Sequence, residues 1–81
     1  AIMNQSSVSP VARRVVAKCG GARKVADLTG RAVVTIHKWS QPRARGGTGG
    51  LIPSDMQAVL MRAAQQGKVD LTPADFFDLP P

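Results

Sequence analysis

Apolar positions recur along this chain at helical spacing. Val11, Val15 and Cys19 lie four residues apart, with Ala12 or Val16 at the margin, and predict a helix over "SPVARRVVAKCGG". Ser9 can cap it, Pro10 suits its first position and Gly20 supplies the stop, while Arg13, Arg14 and Lys18 fall outside the apolar stripe. A second short helix is expected over about 22–28, with Val25, Ala26 and Leu28 inward and Gly30 ending it. The third runs over about 32–40 and places Ala32, Ile36 and Trp39 on one face. Val33, Val34, His37, Lys38 and Gln41 lie largely off that face, and Pro42 closes the helix.

"PSDMQAVLMRAAQQG" predicts a fourth helix with Ser54 and Gln57 as a capping box, an apolar set of Met56, Val59, Leu60 and Ala63, and Gly67 as terminator. "KVDL" is expected to be extended, with Val69 and Leu71 as anchors or as a short paired strand. "TPADFF" then starts a last helical turn: Thr72 caps, Pro73 opens, Asp75 completes a box, and Phe76 and Phe77 close the core. The pattern gives an all-α, compact domain of four to five helices over 9–77. A polar, flexible segment (1–8) precedes it and a "DLPP" tail (78–81) follows.

Eighty-one residues suffice for one small core. No apolar run nears the roughly 18 residues of a membrane span, and no signal-peptide pattern opens the chain, so a cytoplasmic protein is expected. Cys19 has no partner for an internal disulfide, and one Cys with one His makes no metal cluster, so Cys19 is expected to pack near a helix end. No cofactor is expected. The five acids are scattered without a catalytic pair, and His37 has no nucleophile beside it, so an enzyme is not expected.

Charge changes the picture. Residues 1–50 hold nine of the eleven Lys and Arg against the single acid Asp27, whereas Asp55, Asp70, Asp75 and Asp78 outnumber Arg62 and Lys68 in 51–81. The first part is suited to a polyanion. Two short helices joined by a glycine turn make a helix-turn-helix, whose second helix enters the major groove of DNA. Ala26 is small where the two helices would cross, and Ile36 and Trp39 would anchor the second helix from beneath.

"ARKVADLTGRAVVTIHKW", with Ala26, Gly30, Ile36 and Trp39 at core positions, resembles the helix-turn-helix of the phage Cro and CI repressors (the lambda-repressor/Cro-like fold). It is closer still to small bacterial YdaS/Cro-like transcriptional regulators. The similarity extends more loosely through "GGLIPSDMQAVLMRAA" and "VDLTPADFF". It implies a sequence-specific binder of double-stranded DNA, associated with the bacterial nucleoid and acting in transcription regulation. By that resemblance Val33, Val34, His37, Lys38 and Gln41 would face base edges, and Arg23, Lys24, Arg31, Arg43 and Arg45 would neutralise phosphates. The family's glutamine at the start of the second helix is Ala22 here, so by the resemblance Arg23 or Lys24 would supply that phosphate contact instead.

"RARGGTGG" is larger than the family's usual tight turn and does not match a phosphate-binding P-loop, because Gly50 is followed by Leu51 and Ile52. It is expected either as a mobile basic arm whose glycine amides approach a phosphate, or as a plain connector. A homodimer or paired sites are expected, since one such motif spans few base pairs, with Met61 and Phe77 as candidate contacts. A second class remains: a protein-interaction module recruiting RNA polymerase or another regulator through Asp70, Asp75 and the tail. RNA binding is a third, with few aromatics to stack on single strands.

Overall fold

The computed structural model describes residues 8–77; the expected flexible segment (all but Val8) and the tail lie outside them. Four α-helices follow in order: α1 (Val11–Lys18), α2 (Ala22–Thr29), α3 (Val33–Lys38) and α4 (Ser54–Gln65). Two 3₁₀ turns (Arg43–Arg45 and Pro73–Phe76) complete an all-α domain, and no strand occurs among the described residues. "KVDL" therefore acts as an anchor only, with Leu71 buried and Val69 half-buried against the core.

Local signals explain the elements. Gly30 follows α2 with φ at 71° and its amide donates to the Ala26 carbonyl, a left-handed cap that a side chain would strain. Only Arg31 and Ala32 then separate it from α3. At the start of α1 the Ser9 hydroxyl accepts from the Val11 amide at 3.2 Å. In the last turn the Asp75 carboxylate accepts from the Thr72 amide at 2.8 Å, so the expected box is formed there.

The box expected at Ser54 and Gln57 does not form. The Pro53 carbonyl receives both the Met56 and Gln57 amides, which places Ser54 inside the first turn, too late to cap it. The Gln57 side-chain amide instead donates to the Ile52 carbonyl at 2.9 Å. Phe77 also departs from expectation: it is 56% exposed while Phe76 is buried. The chain leaves the 3₁₀ turn extended at Phe77, and consecutive side chains there point to opposite sides.

One core joins the four α-helices and the terminal turn: Val11 and Val15 of α1, Val25 and Ala26 of α2, Ile36 of α3 with Trp39 just past its end, Met56 and Leu60 of α4, with Leu71 and Phe76 at the end. α2 packs on both α3 and α4, and the terminal turn packs on α1. Two cations of α1 fasten that turn. Arg14 Nη2 donates to the carbonyls of Asp75 and Phe77, both at 3.0 Å, and Lys18 Nζ bonds Asp75 Oδ1 at 2.8 Å.

Candidate nucleic-acid interface

α3 is short, and two core residues fix its inner side. Ile36 and Trp39 are 1% and 2% exposed, whereas Val34, four residues ahead of Lys38 on the same face, is 62% exposed. His37, Lys38 and Gln41 are exposed beside it. Positions 34, 37 and 38 recur at i, i+3 and i+4, so one outward ridge carries an apolar contact and two nitrogen-bearing side chains, while Gln41 lies exposed in the turn beyond the end of α3. Val33 is not part of that ridge in full: it is half-buried and packs on the core.

The carboxyl end of α3 is held from outside the helix. Thr48 donates its amide to the Lys38 carbonyl (3.2 Å) and its hydroxyl to the Trp39 carbonyl (3.0 Å), and the Gly49 amide donates to the Gln41 carbonyl (2.9 Å). The same loop also serves α1. The Gly49 and Gly50 carbonyls accept from the Ser9 and Ala12 amides, each at 2.7 Å. "GGTGG" is thus a two-sided cap that ties the end of α3 to the start of α1.

This corrects the expectation of a mobile arm or plain connector. The amides of Gly46, Gly47 and Gly49 donate to the Arg43, Pro42 and Gln41 carbonyls, so they are not free to cradle a phosphate. Two of the glycines, Gly47 and Gly50, are needed for close approach. A Cβ at Gly47 would collide with the carbonyls of Gln41 and Lys38, and one at Gly50 with the backbone of Ser9. Sequence patterning missed this role because its partners lie up to about forty positions away; the signal present was glycine density itself.

The expected phosphate contacts fall into groups. Arg23 and Lys24 are exposed in the first turn of α2, and Arg43 and Arg45 are exposed in the 3₁₀ turn after α3. Arg31, in the turn between α2 and α3, reaches Asp55 of α4 at 3.5 Å across an exposed gap. Such a pair contributes at most about 1 kcal/mol, so a phosphate can compete for Arg31.

Two grooves flank α3. One is lined by Arg31, Thr35, Trp39, Pro53, Asp55 and Met56, and so carries an acid. The other, of about 410 Å³, lies between α1 and α3 over Val16, Ala17, Ala22 and Ile36, with Arg13, His37 and Ser40 at its polar edge and no acid. Arg13 and Arg14 both fall outside the apolar stripe of α1, yet the structure separates them. Arg14 is committed to the terminal turn, whereas Arg13 is exposed beside the ridge.

Asp75 is the buried acid among the described residues. The Lys18 hydrogen bond, then the Thr72 amide, hold its carboxyl below the usual carboxylate range, against an opposing desolvation effect. Burial pushes the neighbouring Cys19 thiol up, and the Asp75 carboxylate adds to it. Both groups are structural in their surroundings. No group of three or more His, Cys, Asp or Glu side chains among the described residues is placed to hold a metal. No described helix is long and apolar enough to cross a membrane. No family model, curated protein or solved structure matches this chain.

Proposed function

We propose that this domain is a helix-turn-helix module that binds double-stranded DNA sequence-specifically, with α3 in the major groove, as a transcription regulator of bacterial or phage type. One observation carries the proposal: α3 is pinned by buried Ile36 and Trp39, while Val34, His37 and Lys38 stand exposed on the opposite side. A rigid helix with an outward ridge of this chemistry fits the major groove. Val34 suits a thymine methyl, His37 and Lys38 suit guanine O6 or purine N7, and Gln41 suits adenine. Arg23, Lys24, Arg43 and Arg45 lie on both sides of the ridge in the chain and would neutralise phosphates, supplying affinity and register.

Recruitment of RNA polymerase or another regulator through the acidic end is the second class. It loses one of its motivating residues, because Asp75 is buried and engaged by Lys18 and Thr72. Asp70 remains exposed, and Asp78 lies outside the described residues.

Selection of duplexes from a random pool at near-physiological salt, followed by sequencing, tests the proposal. A motif should be enriched by the native protein and lost by the triple variant V34A/H37A/K38A, whose thermal stability should be unchanged because all three side chains are exposed. Each correct base contact discriminates by about 1–3 kcal/mol. Recovery of no motif, with binding that vanishes steeply as salt rises, would reduce the interaction to phosphate attraction and overturn sequence-specific reading.

A further inference from the structure

The two grooves beside α3 differ in charge, and that difference assigns a path to the DNA. On the α4 side the groove includes Asp55. On the α1 side the edge residues are Arg13, His37 and Ser40, over a floor formed by apolar side chains. Arg13 and Ser40 also line a smaller cleft of about 140 Å³ with Val8, Ser9 and Pro10, so Arg13 stands where the two depressions meet, and neither is lined by an acid.

A DNA strand presents an anionic phosphate and a largely apolar deoxyribose face in alternation. A strand packed beside a helix seated in the major groove needs a cation for the first and a small-residue surface for the second. The α1 groove offers both. Ala17 and Ala22 are small enough to admit a sugar, Val16 supplies an apolar contact, and Arg13 is an exposed guanidinium one groove width from the ridge. His37 belongs to both surfaces, so a strand in this groove and a base at the ridge are contiguous.

We propose that a sugar–phosphate strand of the bound duplex runs along the groove between α1 and α3, with Arg13 on a phosphate and the deoxyribose against Val16, Ala17 and Ala22. The proposal rests on the DNA-binding function inferred above and adds a contact from α1, outside the helix-turn-helix. Arg13 is therefore a positioning contact. It strengthens binding to all sequences equally and leaves base preference to the ridge.

The test is the salt dependence of duplex binding by the full chain, using the duplex selected by the native protein and a scrambled duplex of equal length. Each neutralised phosphate contributes about 0.9 to the slope of log affinity against log salt. Arg13→Gln should lower the slope by about that amount. Between 50 and 200 mM salt its affinity should then fall about 3.5-fold less than that of the native protein. The loss at low salt should be the same for both duplexes. Ala17→Asp, at an exposed helical position, should weaken both complexes further by placing an acid in the groove, while circular dichroism confirms that both variants fold.

A native protein that selects a motif, with Arg13→Gln unchanged in slope and Ala17→Asp binding as the native does, would overturn the groove assignment alone. A loss confined to the selected duplex would overturn it too, because Arg13 would then read a base. A native protein that selects nothing, with no effect of the V34A/H37A/K38A substitutions, would overturn both this path and the function on which it rests.

Discussion

Replacing Gly50 by alanine should destabilise this domain far more than a loop substitution ordinarily does. Gly50 has φ at 87°, and its carbonyl caps the Ala12 amide at 2.7 Å. A non-glycine residue in the left-handed region costs about 1–2 kcal/mol. The new Cβ would also meet the Ser9 backbone, which cannot rotate aside as a side chain can. Relief requires the loop to withdraw from α1 and loosens the Ser9–Gly49 and Ala12–Gly50 hydrogen bonds, each contributing about 1 kcal/mol. The total is about 3 kcal/mol, a drop in Tm of roughly 12–24 °C for a domain of this size. Gly46 is the internal control. Its φ is 82°, but a Cβ there meets nothing within 4 Å, so Gly46→Ala should carry the conformational cost alone. Thermal unfolding followed by far-ultraviolet circular dichroism measures both variants. Equal Tm values for Gly50→Ala and Gly46→Ala would refute the two-sided cap.

Asp75 should make stability acid-labile. Its folded pKa lies below its unfolded value, so its contribution is fully present above the unfolded carboxylate range near pH 4 and is lost as pH falls through the folded value. Urea unfolding should show Asp75→Asn less stable than the native protein at pH 7 and the gap narrowing as pH falls below the unfolded carboxylate range; a gap that stays constant or widens on acidification would contradict the assignment. Cys19 is buried and its thiol is pushed up, so iodoacetamide at pH 8 should modify it slowly in the folded protein and rapidly in urea. Equal rates would place the thiol at the surface. Trp39→Ala should cost about 3–5 kcal/mol, because the ring is a core anchor. Addition of duplex DNA should leave Trp39 emission little changed, and strong quenching by stacking would argue against the buried placement.

Legibility from the sequence was uneven. The helices and the terminal turn were visible because they rest on signals within a few residues: Val11, Val15 and Cys19 in register, Gly30 and Gly67 as stops, and Thr72 with Asp75 as a cap for the last turn. The outward ridge followed from the same periodicity, since the burial of Ile36 and Trp39 leaves Val34, His37 and Lys38 outside. Val33 and Phe77 lie where local pattern is ambiguous. One packs inward on the edge of α3, and the other is turned out by an extended backbone.

Periodicity and capping act over one turn of helix, so the chain by itself determined the all-helical class, the helix order and the face that α3 offers. Tertiary structure decided what depends on remote backbone. It set Arg14 on the terminal turn and left Arg13 beside α3, although the two are adjacent in sequence. It engaged Asp75 with Lys18, and turned a glycine-rich stretch into a cap for two helices at once. Neighbouring helical positions diverge by about 100°, and a loop's hydrogen bonds go to whatever backbone the packed helices bring to it; neither partner is encoded within the segment itself.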